Sequence, residues 1–183
     1  DGSIQVSDVG SNCYGVLDVG AMSVLPYLAD NIEDMDKVMN IIQPYLDKEL
    51  EKFGAKYLFY YTWPAQSIWT GDTPLKSMED IKGLKIRTSN NELSELVKLW
   101  GGTPVSLTGS EVPAGLQTGV VDGVITSAYG LGGAGWDDSL NYGLITDCQI
   151  IPDYICVNAE EFESLPQETQ DIIMELAAKY QKL

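Results

Sequence analysis

The chain has 183 residues, 44% of them hydrophobic and 9% aromatic, enough for one substantial domain or two small lobes sharing a core. Its formal net charge is −16 and it contains no histidine. That balance argues against nucleic acid and anionic membranes, which attract basic surfaces, and it removes imidazole acid–base chemistry and most zinc sites.

Weak alternation from Ser3 to Val9 predicts a short strand ended by Gly10 and Ser11. Cys13 to Ala29 is mixed and bears glycines, with one helical turn predicted over Met22 to Leu25, before Pro26. From Asn31 the pattern is helical: Met35, Val38, Met39 and Ile42 recur at i, i+3, i+4, i+7 and mark one buried face. Pro44 has no N–H to give a helix interior. A break or kink is expected there, then a second helix from Tyr45 to Phe53 stopped by Gly54. Lys56 to Tyr61 reads as an aromatic-rich strand, and Trp63 to Thr73 is the most aromatic surface-like stretch.

Pro74 to Ile125 organises the rest. It parses as a loop with a short helical turn, a strand from Gly83 to Arg87, a helix, a strand from Thr103 to Leu107, a second helix and a strand from Val120 to Ile125. Such alternation predicts parallel strands joined by helical crossovers, with strand ends and helix N-termini offered to ligands. Ser89 and Glu92 form an S-x-x-E capping box that starts the helix near Asn90, and Leu93, Leu96, Val97 and Trp100 supply its core face. Ser110 is the expected N-cap of the next helix, with Glu111 complementing its dipole and Pro113 tolerated in its first turn. Asp80 is expected to start a turn before Gly83, Asp122 to cap a helix or bind a backbone amide, and Gly123 to permit close approach. Arg87 falls where a strand runs out and a helix begins. A guanidinium beside unpaired backbone N–H groups is a place for a carboxylate or a phosphate.

Ser127 to Ser139 is rich in glycine and carries Tyr129 and Trp136. Its glycines have phosphate-loop composition without the strand–GxGxxG–helix context, so no nucleotide cofactor is assigned. Tyr142 to Ile151 reads as a strand or an extended return segment and Tyr154 to Val157 as a strand. Ser164 and Gln167 box the start of a last helix, whose apolar face is Ile173, Leu176, Ala177 and Tyr180. Cys13, Cys148 and Cys156 have no metal-like spacing; they read as buried free thiols, with a Cys148–Cys156 bridge as the alternative.

The run D-I-K-G-L-K-I-R, followed in order and at the right spacing by G-G-T-P-V, S-E-V, L-Q-T-G and V-V-D-G, resembles the solute receptors of TRAP transporters, the DctP-type periplasmic binding proteins. D-G-S-I-Q-V-S-D-V, V-L-P-Y-L and N-A-E-E-F-E-S-L-P extend the resemblance along the chain. It implies an α/β, two-lobed periplasmic-binding-protein-like fold with a ligand cleft between the lobes. Residues 1–62 would form part of lobe I, 63–151 lobe II, and 152–183 the return to lobe I. The chain would be an incomplete fragment, with strands of a parallel lobe I sheet before Asp1 and a long helix after Leu183. Leu25, Met39, Ile42 and Tyr180 would then show apolar surface.

For function, the resemblance implies a periplasmic, monomeric receptor without catalytic residues, metal or cofactor. It would capture a small organic acid, close on it by hinge bending, and deliver it to TRAP membrane permease subunits. Arg87 matches the arginine after G-L-K-x and would clamp the carboxylate, assisted by N–H groups near Asn90 and Asn91. Ser67 or Thr126 would offer hydrogen bonds, and Trp69, Tyr129 or Trp136 would take the rest of the ligand. In the family, Trp63 and Trp69 fall where the chain lines the cleft; packing of a lobe is the other reading of both. Gly109 stands where many members carry a large aromatic, and Val124, Ile125 and Thr126 stand where polar contacts are usual. These departures point to an aromatic or hydrophobic monocarboxylate. A ligand-sensing ectodomain of the same fold is the alternative. A third is an enzyme acting on a small acid through paired carboxylates such as Asp72 with Glu111 or Asp122.

Overall fold

The computed structural model describes residues 4–10 and 13–181. The chain divides into two compact units: Asp1–Ser23, Ile32–Trp63 and Ile151–Leu183 make the first, and Val24–Asn31 with Pro64–Ile150 the second. Val24–Asn31, expected in lobe I, belongs to the second unit because Tyr27 N–H donates to the Cys148 carbonyl at 2.9 Å and the Gln149 amide donates to the Val24 carbonyl.

The first unit is built on a three-stranded sheet in the order β1-β8-β2, from Val6–Val9 (β1), Ala55–Trp63 (β2) and Ile151–Asn158 (β8). All its pairs are antiparallel. The expected start of β1 at Ser3 and its stop at Ser11 lie outside the described residues. A short helix α1, Asp18–Ser23, precedes the turn expected at Met22 to Leu25 and packs on α2, Ile32–Glu51. α2 is one helix of 20 residues and runs through Pro44, against the expected break. Pro44 and Asn40 both lie on the exposed side, so the carbonyl that loses its i+4 donor faces water. Meanwhile Met35, Met39, Ile42, Leu46 and Leu50 stay buried in register on both sides of the proline. Gly54 ends this segment at φ 68°, the left-handed conformation of a C-terminal stop.

Two further helices follow β8. Asn158 caps α6, Ala159–Ser164, by accepting from Glu161 N–H at 3.0 Å. Ser164 is therefore the end of a helix rather than the cap of the next, and α7, Gln167–Tyr180, starts after Pro166 with no side-chain cap. The expected face of α7 is only partly covered: Ala177 is buried, whereas Leu176 and Tyr180 are exposed. Of the four residues expected to show apolar surface, Leu25 and Tyr180 do; Met39 and Ile42 are buried in the α2 face.

The second unit carries a five-stranded sheet in the order β5-β4-β6-β3-β7. Its strands are Ser67–Thr70 (β3), Lys85–Thr88 (β4), Thr103–Ser106 (β5), Gly123–Thr126 (β6) and Tyr142–Leu144 (β7). β4 pairs in parallel with β5 and β6, as the alternating pattern predicts, while β3 pairs antiparallel with β6 and β7. Between these strands lie α3, Asn91–Leu99, α4, Val112–Gln117, and α5, Ala128–Gly133. α5 falls in the glycine-rich stretch where no helix was expected; Ser127 caps it, its Oγ accepting from Gly130 N–H at 2.9 Å. The core beneath α3 includes Ile68, Ile81, Ile86, Leu93, Val97 and Ile125, with Trp100 packed against it.

Three local predictions are resolved, two by hydrogen bonds and one by close approach. Asp80 accepts from the N–H groups of Lys76 and Ser77, and Asp122 accepts from Lys85 N–H at 2.7 Å. A Cβ on Gly123 would sit 2.3 Å from the Trp69 carbonyl oxygen, so the β3–β6 approach requires glycine there. The caps of α3 and α4 differ from expectation by a few residues. Asn90, not Ser89, caps α3, and a Thr108–Glu111 box rather than Ser110 starts the turn before α4. Cys13, Cys148 and Cys156 are free thiols, Cys13 being exposed instead of buried. Among the described residues no helix is long and apolar enough to cross a membrane.

Candidate ligand-binding site

Strand alternation puts Ile86 and Arg87 on opposite faces of β4. Arg87 is nonetheless 8% exposed. Its Nε donates to the Leu107 carbonyl at 2.9 Å, a contact set by the parallel pairing of Arg87 with Val105 two residues earlier. Its guanidinium carbon lies 5.7 Å from the centre of the Trp136 ring, within cation–π range. Among the described residues no carboxylate pairs with Arg87, and its terminal nitrogens donate to none of them. Burial pulls the Arg87 pKa down, but a guanidinium starts so high that it keeps its proton. A buried cation with one occupied N–H and no counter-ion is costly unless an anion completes it.

The other sequence candidates divide by what their polar atoms do. Asn90 accepts from Leu93 N–H at 2.8 Å and donates to Gln149 Oε1 at 3.0 Å, so both ends of its amide are occupied. Ser67 Oγ accepts from Thr146 and Asp147 N–H at 3.1 and 3.2 Å and ties the return segment to β3. Thr126 is buried at the end of β6, and its carbonyl accepts from Trp69 Nε1 at 2.9 Å. Trp69 lies flat along β7, where a Cβ on Gly143 would sit 2.6 Å from its ring. Trp136 is buried with Val112, Val124 and Leu140, and Trp69 packs against that cluster. Tyr129 is 70% exposed. The structure therefore brings Arg87 and Trp136 together, with Trp69 and Thr126 in the adjoining packing; Asn90 and Ser67 hold backbone. In the first unit Trp63 is part-buried and donates to Asp153 Oδ2 at 2.7 Å. The Leu107 carbonyl that holds Arg87 was not foreseen, because a backbone acceptor from another strand leaves no mark in sequence.

A separate groove of about 390 Å³ is lined by Asp72, Thr73, Gln117 and Asp122, at the end of the sheet where β6 begins and away from Arg87. Of the carboxylates considered for acid–base work, Asp122 accepts from Lys85 N–H and Glu111 from the Thr108 N–H and hydroxyl. Burial pushes the Cys148 thiol up to about 11, which leaves it protonated at neutral pH and a poor nucleophile.

This mixed α/β chain has the fold of extracytoplasmic solute receptors. The model of the DctP family, bacterial extracellular solute-binding protein family 7, matches residues 2–183, and the chain belongs to that family. It is 29% identical over 160 residues to the ectoine-binding periplasmic protein TeaA of Halomonas elongata, covering 84% of this chain and 46% of that protein. The structure matches DctP7, a Bordetella pertussis extracytoplasmic solute receptor binding pyroglutamic acid, with a TM-score of 0.91 and 25% identity; the match covers 98% of this chain and 60% of that one. A TRAP periplasmic solute-binding protein of Chromohalobacter salexigens with bound D-glucuronate matches with a TM-score of 0.89 and 26% identity, over 99% of this chain and 61% of that one. The chain thus spans about half the length of the curated relatives it matches.

Proposed function

We propose that this chain is the solute-capturing part of a TRAP-type transporter receptor, that its ligand is a small organic acid held through Arg87, and that the receptor passes that acid to a membrane permease. It works as a binder without catalysis and as a monomer. The observation that carries this reading is the buried Arg87 guanidinium, which has one backbone acceptor and no acidic partner among the described residues. A carboxylate accepts two parallel hydrogen bonds from a guanidinium, so it supplies both the missing charge and the missing acceptors. Relatives that bind ectoine, pyroglutamic acid and D-glucuronate support an acid ligand, since each of those molecules carries a carboxyl group. The net charge of −16 repels anions at long range, so capture depends on this local cation. The test is isothermal titration of the chain with pyroglutamate and D-glucuronate. Wild type is expected to bind at least one of them and Arg87→Ala to bind neither; equal affinities would remove Arg87 from the site.

A further inference from the structure

Gln149 is a polar side chain with 1% of its surface exposed, and both ends of its amide are used. Its Oε1 accepts from Asn90 Nδ2 at 3.0 Å, and its Nε2 donates to the Val24 carbonyl. Its backbone carbonyl accepts from Gln66 N–H at 2.8 Å. An amide buried this deeply costs free energy unless its polar atoms are paired. Here the pairing gathers Val24, Gln66 and Asn90, three parts of the second unit that lie far apart in sequence.

The Asn90 end of this amide reaches the start of α3, directly after the strand that carries Arg87. Asn90 caps α3 by accepting from Leu93 N–H at 2.8 Å. The turn is closed from within: the Thr88 and Ser94 hydroxyls bond each other at 2.7 Å, and Ser94 Oγ donates to the Asn90 carbonyl at 2.9 Å. Among the described residues, the bond from Asn90 to Gln149 is the single side-chain hydrogen bond that leaves residues 88–94 for a distant part of the chain. The first two N–H groups of α3, on Asn91 and Glu92, have no acceptor inside the helix. Where α3 begins therefore decides where these donors stand relative to Arg87.

We infer that Gln149 is a positioning residue for acid binding: acting through Asn90, it fixes the start of α3 relative to Arg87, and the affinity for the acid depends on that bond. This rests on the reading of Arg87 as the carboxylate clamp. Groups that meet a ligand keep their geometry when the groups behind them are tied down by packing and hydrogen bonds. Gln149 supplies that tie without touching the ligand.

Two variants cut the link from opposite ends. Gln149→Leu keeps a side chain of similar size and removes both amide bonds, whereas Asn90→Ser keeps a capping oxygen for Leu93 and is too short to reach Gln149. Calorimetric titration with pyroglutamate and D-glucuronate is expected to show each variant weakened ~5-fold for the acid that wild type binds, the equivalent of one hydrogen bond. The double variant should lose no more than either single one, because both remove the same link. A side chain that only satisfies the Val24 carbonyl behaves otherwise: Gln149→Leu lowers the melting temperature, Asn90→Ser binds as wild type does, and the inference is overturned. Losses that add in the double variant overturn it as well. Hydrogen exchange reads the anchor without ligand: the Leu93 and Ser94 N–H groups should exchange faster in Gln149→Leu than in wild type, and unchanged exchange removes the anchor. Failure of the clamp looks different, since Arg87→Ala would then bind as wild type does, or wild type would bind neither acid, whatever the exchange shows.

Discussion

Both units bury charged side chains, and Asp153 in the first and Arg87 in the second are treated in opposite ways. In the first unit Asp153, 7% exposed, accepts from Trp63 Nε1 at 2.7 Å, with the hydroxyls of Tyr14 and Tyr61 beside it at 3.3 and 3.4 Å, each also donating to a nearer acceptor, the Pro152 carbonyl and Asp8. In the second unit Arg87, 8% exposed, has one backbone acceptor, one aromatic face and nothing for its terminal nitrogens among the described residues. A buried charge ringed by partners of its own fold holds strands together. One left incomplete is the feature on which the proposed carboxylate clamp rests. Glu49 belongs with Asp153. It is buried in α2 and accepts from the N–H groups of Asp18 and Val19 at 2.7 and 2.9 Å, which caps α1 with a carboxylate.

The largest effect expected from this contrast is on binding. Arg87→Ala should cost ~3–5 kcal/mol of affinity for the captured acid, roughly 10²-fold or more, because it removes one partner of a buried charge pair. Its thermal stability without ligand should change little or rise, since an uncompensated charge leaves the interior. A large fall in melting temperature, measured by calorimetry, would show that Arg87 is structural after all.

Asp153→Ala should show the reverse. It removes the carboxylate that accepts from the Trp63 indole at 2.7 Å and should destabilise the chain by ~1–3 kcal/mol. For a chain of this size that lowers the melting temperature by ~2–4 °C per kcal/mol. An unchanged denaturant midpoint would break the contrast from the other side.

Glu49→Gln should be milder. The amide oxygen still accepts one N–H, but the charge that favours the α1 N-terminus is gone, and ~1 kcal/mol is expected by urea denaturation.

The smallest effect concerns pH. Burial, with the nearby charge of Asp8, raises the Asp153 pKa above the ordinary 3.8, while hydrogen bonds from Trp63, Tyr14 and Tyr61 oppose the rise. A carboxyl whose folded pKa lies above its unfolded pKa binds more protons when folded. Its contribution to stability therefore falls as pH rises from about 4 through the folded value and is flat beyond it. Asp153→Asn should lose that slope, so that the wild type and the variant diverge as pH rises through this window. Parallel stability curves from pH 4 to 7 would show that Asp153 titrates alike in both states.

Much of the second unit was legible because its signals are local. The alternation from Gly83 to Ile125 announced parallel strands with crossover helices, and Leu93, Leu96 and Val97 at helical spacing are the buried face of α3. Asp122 and Gly123 did what short-range chemistry allows an aspartate and a glycine at a close strand crossing to do. Arg87 at a strand end was also visible, since both the strand and the following helix are written in neighbouring residues. Pro44 misled for the same reason: the rule against mid-helix proline is local, whereas the α2 face that keeps the helix intact draws on packing along its whole length. α5 was missed because glycines carry no periodic pattern, and only the Ser127 cap hints at it.

Sequence by itself therefore determined the family and the strands and helices from Gly83 to Ile125, and it marked Arg87 as the candidate to meet an anion. Tertiary structure decided which polar groups remain open. Asn90 and Ser67 look as available as Arg87 when read along the chain, and only contacts with Gln149, Thr146 and Asp147, more than fifty residues away, show that they are occupied. Whether a donor is free depends on what the fold brings to it, and that information is spread over the chain rather than carried by the residue itself.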